Sequence, residues 1–255
     1  MKIGLVQDSL GNVEAYIREA KEKGCQVLCF PEAFLTGYVP SEVSMRAVSR
    51  DSQLVSNVGE LAKAYQMDIV AGFMEQEKEQ YYLTQGIFKA DGQMLFHRKT
   101  HLGEREHGIF SEGNTLDVYS LTCGLKIGIQ ICMENHFPEI TQILSLKGAE
   151  VVFAPFAVPG TPEKRKEVWS KIMPARSYDN RVYMACCNLW NGERFCGGCM
   201  VTDPNGEIVA ENYENKPGLL IFTYEEEAVR RYHEGNPSMK YRYYPEKRRV
   251  ELFGS

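Results

Sequence analysis

Three side chains with complementary chemistry, the Cys132 thiol, the Glu32 carboxylate and the Lys99 ammonium, each stand just beyond a strand-like run in this 255-residue chain. The run before the thiol, Ile127-Gly128-Ile129-Gln130-Ile131, has the length and β-branched content of a buried strand. Pro138 and Glu139 then announce a helix, so the sequence predicts a strand-to-helix elbow at Cys132. Unpaired N–H groups and the positive end of the helix dipole favour thiolate over thiol there, and can hold a developing oxyanion. A lone cysteine ending a strand is more often a core residue. Its chemical meaning depends on the groups that join it.

The elements that must bring them together alternate between strand and helix. Lys2–Gln7 reads as a strand, Val13–Lys23 as an amphipathic helix closed by Gly24, and Gln26–Phe30 as a buried strand followed by Pro31-Glu32. A helix over Ser52–Tyr65 leads into a strand over Asp68–Phe73. The Asp91-Gly92 turn then joins Tyr81–Phe88 to Gln93–Arg98 as a hairpin that delivers Lys99. Residues 99–115 show no periodicity and are too long for an ordinary connection, as functional or disordered loops are. A second hairpin, Leu116–Leu121 with Leu125–Ile131, returns to Cys132. Beyond it come a helix over Ile140–Lys147, a strand over Glu150–Ala154 ending at Pro155, and a long helix over Glu163–Asn180. Strands follow at Val182–Asn188, Cys196–Thr202, Glu207–Ala210 and Leu219–Thr223.

An internal echo orders these elements. The first part runs strand, helix, strand, Pro-Glu, and the second runs strand, helix, strand, Pro-Phe. Two sheets back to back, each with a helical outer layer, accommodate both halves in an α/β fold. Ligands in such βαβ arrangements gather outside the carboxyl ends of the strands. Glu32, Lys99 and Cys132 all follow predicted strands, so one end of the fold could hold all three. No low-complexity linker interrupts the series, and a single domain over residues 1–255 is the simpler count.

Composition narrows the function classes. With 44% hydrophobic and 25% charged residues and a formal net charge of −5, the chain reads as globular and lacks the basic character of a general nucleic-acid binder. Lys240, Arg242, Lys247, Arg248 and Arg249 do cluster, but Tyr and Pro interrupt them, so they read as solvated or interface surface. No stretch has the apolar length of a membrane span, and Asp8 interrupts any signal-peptide core; a cytoplasmic location is expected. Most of the eight cysteines sit in apolar strand-like runs, which fits reduced thiols. Cys196-Gly-Gly-Cys199 lacks the second ligand pair of a zinc site and the strand-to-helix setting of a redox motif, so no metal is expected.

Phe30-Pro31-Glu32, Arg98-Lys99-Thr100-His101-Leu102 and Gly128-Ile129-Gln130-Ile131-Cys132, with Phe137-Pro138-Glu139 beyond, resemble the three motifs of the nitrilase superfamily of carbon–nitrogen hydrolases in order and approximate spacing. The resemblance extends through Ala175-Arg176 with Asn180, Phe195-Cys196-Gly197-Gly198, Asp203-Pro204 with Gly206, and the terminal Arg248-Arg249-Val250-Glu251-Leu252-Phe253. It implies a four-layer α-β-β-α sandwich of two central sheets flanked by helices. It also implies a homodimer or higher homo-oligomer, with the C-terminal segment from about residue 225 as the expected contributor to the contacts.

Carried over by the resemblance, Cys132 is the nucleophile, Glu32 the general base and Lys99 the cation beside the oxyanion. The family's second glutamate, counted back seven residues from Gly113, falls on Glu106, with Glu104 competing. An amide carbon is a poor electrophile, so the chemistry needs a thiolate whose proton a neighbouring base accepts. Lys99 and the Met133 backbone N–H would hold the tetrahedral oxyanion, and no metal or organic cofactor is required.

Departures from the family bear on substrate. The series Met133-Glu134-Asn135-His136 replaces the aromatic residue, Asp and Arg usual in amidase-like members. Cys-x-Glu-Asn is similar to true nitrilases, yet Met133 stands where they carry tryptophan. A small linear amide is the expected substrate, with N-carbamoyl amines next and nitriles third. Met133, Glu134 and Phe156 are the expected substrate-binding residues. Two readings from outside this chemistry remain at this stage, a cysteine–histidine hydrolase using His101, His107 or His136, and an idle assembly scaffold.

Overall fold

The computed structural model describes residues 1–233 and 244–252; Lys240, Arg242 and Phe253 lie outside the described residues. Two six-stranded sheets form its centre. The first runs β12 (Gly218–Thr223), β1 (Lys2–Gln7), β2 (Cys25–Cys29), β3 (Asp68–Glu77), β4 (Gln80–Phe88), β5 (Met94–Arg98). The second runs β11 (Ile208–Asn212), β10 (Cys199–Thr202), β9 (Tyr183–Asn188), β8 (Val151–Phe156), β7 (Lys126–Ile129), β6 (Val118–Ser120). The two halves of the sequence echo fall in different sheets: β1 pairs parallel with β2 in one, and β7 with β8 in the other.

Alternation along the strands builds the layers. Val27 and Cys29 on β2, with Val151 and Phe153 on β8, enter the core between the sheets, where Ile3, Leu5, Ile127 and Ile129 also sit. Their neighbours Leu28 and Phe30 face outward, against Ile17 and Ala20 of α1 (Val13–Glu22) and Val55, Val58 and Ala62 of α3 (Gln53–Tyr65). On the other side, Val152 and Ala154 meet Ile140 and Leu144 of α4 (Pro138–Leu146) and Trp169 and Met173 of α5 (Pro162–Asn180). The order helix, sheet, sheet, helix is the four-layer α-β-β-α sandwich. Each buried Ile, Val or Phe in these layers contributes about 1.5–3 kcal/mol over leaving it exposed.

Side-chain caps start the outer helices. Asn12 accepts from the Ala15 N–H at 3.1 Å, and Thr161 from the Lys164 N–H at 3.3 Å. Between β2 and α3, a short helix, α2 (Val43–Arg46), follows the segment that carries Tyr38.

Several expected boundaries move. Residues 132–136 form a 3₁₀ turn, and α4 begins only at Pro138, so Cys132 opens a single tight turn and not an α-helix. Strand β10 starts at Cys199 and not at Cys196, because Gly197 and Gly198 hold φ of +71° and +114°, outside strand geometry. Strand β8 runs through Pro155 to Phe156. Its ladder with β7 ends at the pair Ile129–Phe153, so the missing Pro155 N–H falls beyond that ladder. The last α-helix among the described residues, α6 (Glu226–His233), buries Ala228, Val229 and Tyr232, the first two in the core between the chain's own sheets. No helix among the described residues is long and apolar enough to cross a membrane.

Candidate active site

Glu32 sits on the tight turn after β2. Its neighbour Ala33 takes φ +52°, a left-handed conformation costly for a residue with a Cβ. Gly72 on β3 makes room for this turn, since a Cβ there would lie 2.4 Å from the Ala33 N and 2.7 Å from the Pro31 O. The Phe30 N–H bonds Val70 O at 2.8 Å and the Leu35 N–H bonds Gly72 O at 2.9 Å, which pins both ends.

Lys99 directly follows β5. Its N–H donates to Leu83 O and its C=O accepts from the Gly113 N–H, both at 2.8 Å, so the two ends of the long loop close on the lysine itself. Leu102 and Phe110 of that loop are buried beside Ala33, Met74 and Leu83, and this satellite core keeps the loop ordered. Glu106 lies on a turn inside it, where the Gly103 N–H donates to its Oε2 at 2.6 Å.

Cys132 takes φ +44° at the start of the 3₁₀ turn. This left-handed residue turns the chain sharply between β7 and the helical layer, a strain of the kind that persists only where the surroundings enforce it. Asn135 enforces it here by donating from Nδ2 to Gln130 O at 2.8 Å and to Cys132 O at 3.1 Å.

The four side chains converge. Lys99 Nζ donates to Glu32 Oε1 and to Glu106 Oε1, each at 2.8 Å, and all three residues are at most 4% exposed. The Tyr38 hydroxyl donates to the same Glu106 oxygen at 2.6 Å. Oε2 of Glu32 is buried with no hydrogen-bond partner among the described residues. The Cys132 thiol is close enough to act on that carboxyl and lower its pKa. Burial, with the charge of Glu106 adding to it, pushes the Glu32 carboxyl up to about 7 in spite of Lys99. Burial and the Glu32 charge push the Cys132 thiol up as well, well beyond its ordinary range. Burial works against the Lys99 charge, but the carboxylates outweigh it and the ammonium is raised. At rest the site therefore holds a thiol and not the thiolate expected from a helix start, beside a carboxyl poised to take its proton.

A cavity of about 440 Å³ opens over these groups. Lys99, Glu106, Cys132, Met133 and Tyr38 line it, with Ala157, Val158 and Pro159 as an apolar wall. Glu104, the competing glutamate, is exposed at its rim and not at the lysine. Two expected substrate-binding residues lie elsewhere. Phe156 is 4% exposed and packs on Trp169 with ring centroids 5.0 Å apart, because β8 continues one residue past Pro155 and turns it into the outer core. Glu134 is fully buried. Its Oε1 accepts from the Thr100 N–H at 2.7 Å and hydroxyl at 2.6 Å, while Oε2 accepts from the Ile131 N–H and approaches His97 Nε2 at 3.5 Å. Burial opposes its charge, but His97 and Thr100 hold the Glu134 carboxyl below the usual range. Its oxygens are occupied inside the protein and do not reach the cavity.

Tyr38, Pro159 and Arg194 line the cavity as well, and no sequence pattern marks them. Each lies on a loop with no periodicity, and only its place after a strand end could have pointed to it. Among the described residues, no histidine lines the cavity; His101 instead stacks on Phe137 with centroids 4.2 Å apart. Cys196 and Cys199 are buried, with their Sγ atoms directed at Gly197 O and Leu5 O.

A model of the carbon-nitrogen hydrolase family matches residues 4–234. The chain belongs to this family. Among relatives of this carbon–nitrogen hydrolase, an N-carbamoylputrescine amidase of Arabidopsis thaliana is 25% identical over 251 residues, covering 88% of this chain and 84% of the relative. Omega-amidase NIT2-B of Xenopus laevis is 29% identical over 223 residues, covering 80% and 78%. An amidase from Nesterenkonia sp. AN1, solved as a Cys-to-Ala variant in complex with butyramide, superposes with a TM-score of 0.83 at 25% identity, over 99% of this chain and 95% of the other.

Proposed function

We propose that the protein hydrolyses the carbon–nitrogen bond of a small linear amide through a thioester on Cys132. The observation that carries this reading is the lysine bonded to two buried glutamates at 2.8 Å beside the thiol, on the floor of one cavity. Glu32 takes the thiol proton as Sγ attacks the carbonyl carbon. Lys99 Nζ and the Met133 N–H, an early donor of the 3₁₀ turn, hold the oxyanion. As the oxyanion collapses, the carbon–nitrogen bond breaks and Glu32 gives its proton to the departing nitrogen, which leaves as ammonia or an amine. Glu32 then draws a proton from water. The water oxygen attacks the thioester, and the acid leaves as the proton returns to sulfur. Glu106, fixed by Tyr38 and Gly103, orients Lys99.

N-carbamoyl amines are the second substrate class, which the N-carbamoylputrescine amidase relative favours. The same reading has one hydrolase domain working in the cytosol as a homodimer or larger assembly, with the segment from about 225 at the contacts. Unpaired thiols among all eight cysteines support the location, and exposed Lys247, Arg249 and Leu252 support the contacts. Light scattering of the chain with and without residues after 243 tests the assembly.

The activity is tested by ammonia release from butyramide and by intact-protein mass spectrometry during turnover. The expected result is release by the unaltered protein together with an acyl adduct on Cys132. The Cys132→Ala variant should give neither. Release without a thiol adduct would defeat the thioester route, and no release from any amide, carbamoyl compound or nitrile would defeat the enzyme reading.

A further inference from the structure

The cavity has a reactive floor and a charged rim, and the rim is not used by the chemistry above. Two guanidinium side chains, Arg105 and Arg194, stand on it from different loops. Neither is in an ion pair among the described residues. Arg194 only covers the Phe195 ring, with its Cζ 5.3 Å from the centroid. One carboxylate, Glu104, shares the rim, so two cations face a single anion.

Both arginines hang from fixed backbone. Arg105 precedes Glu106, whose N–H bonds Gly103 O at 2.8 Å while its carboxylate accepts the Gly103 N–H at 2.6 Å. The Arg194 N–H donates to Asn191 Oδ1 at 2.9 Å, and its C=O accepts from the Gly160 N–H at 3.3 Å. A third cation, Arg165 on α5, is 8% exposed with its Nε unpaired.

Resting on the amide-hydrolase reading, we propose that Arg105 and Arg194 select substrates that carry a carboxylate at the end remote from the scissile amide. A guanidinium fork matches a carboxylate in planar, two-point fashion, and its backbone is already held, so little further ordering opposes the contact. The carboxylate is kept from Glu32 and Glu106 by the substrate's own chain while the amide carbonyl reaches Lys99. A substrate with an ammonium at that end meets like charge on the rim. Half-amides of short dicarboxylic acids and N-carbamoyl amino acids share the required chemistry, and the test separates them.

Initial rates are measured with succinamate, butyramide, 4-aminobutanamide and N-carbamoyl-β-alanine as probes, at low salt and near half-molar salt. The expected result is a kcat/KM for one of the two anionic probes at least about tenfold above both uncharged and cationic amides, narrowing at high salt as screening weakens the rim. Whichever anion leads names the source of the carboxylate. In the Arg105→Ala, Arg194→Ala double variant the ratio of anionic to neutral kcat/KM should fall toward one, chiefly through KM. A ratio near one in the unaltered protein, or one that survives both substitutions, overturns the proposal. Butyramide hydrolysis without anion preference removes only the carboxylate selection and leaves amide hydrolysis standing; no release from any probe removes both.

Discussion

Glu134 accepts both the N–H and the hydroxyl of Thr100, at 2.7 and 2.6 Å. Its other oxygen takes the N–H of Ile131. Thr100 follows Lys99, and Ile131 precedes Cys132, so one buried carboxylate ties the chain beside the ammonium to the chain beside the thiol. Replacing Glu134 with Gln sets an amide donor against backbone donors and removes the charge. The variant is expected to lose about 2–4 kcal/mol of stability and to fall on the order of tenfold to a hundredfold in kcat. A urea titration and a kcat/KM split check this. Unchanged kcat in a folded variant would deny Glu134 any part in positioning.

The pH profile follows from Glu32. Its carboxyl is raised to about 7, and the base is active only when ionised, so kcat/KM should climb tenfold per pH unit below about 7 and level off above it. The thiol is pushed up beyond the ordinary range, so no second ionisation breaks the plateau on the moderately alkaline side. For stability the sign is opposite. A carboxyl whose folded pKa lies above its unfolded value contributes stability at low pH, and this is lost as pH rises from the ordinary carboxyl range through about 7. Rates of ammonia release across pH 5–9 test the first statement; a profile flat down to pH 5 contradicts it.

Thiol labelling should single out Cys132. Cys29, Cys186, Cys187 and Cys199 are 0% exposed, whereas Cys132 borders the cavity with a base beside it. Iodoacetamide followed by peptide mapping is expected to modify Cys132 first, and Glu32→Gln to slow that reaction on the order of tenfold or more. Equal labelling of Cys132 and Cys123 would argue for an idle scaffold.

Gly72→Ala tests the turn that carries Glu32. The new Cβ would meet backbone atoms of Pro31 and Ala33, which cannot swing away as a side-chain tip can. A loss of about 1–3 kcal/mol is expected, with a fall in kcat larger than the change in KM. Circular dichroism melts with parallel kinetics measure both. Full activity would show that the turn relaxes without moving the carboxylate.

Much of the architecture was legible because side-chain alternation is local. The runs Val27-Leu28-Cys29-Phe30 and Val151-Val152-Phe153-Ala154 declare two-sided strands, and a buried parallel strand needs helices on its outer face. Motif words pick out Glu32, Lys99 and Cys132, and the count back from Gly113 adds Glu106, but neither says anything of their protonation. The raised Glu32 and Cys132 arise from burial and from carboxylates brought in from distant parts of the chain, Glu106 acting on Glu32 and Glu32 on Cys132, which no local pattern encodes. Glu134 was misplaced for the same reason. A glutamate beside a nucleophile reads as a cavity residue until Thr100, His97 and Ile131 are seen to occupy it. Phe156 was misplaced by Pro155, which normally stops a strand but here lies past the end of the β7 ladder.

The pairing of β1 with β12 joins Lys2 to Thr223. During translation, β1 therefore leaves the ribosome with one apolar edge open, and its antiparallel partner is synthesised only after more than two hundred further residues. The β1–β2 unit can form early, but closure of this edge waits for the C-terminal part of the chain. A nascent product released before Gly218 would carry an uncovered strand template, a ready substrate for chaperones or for self-association.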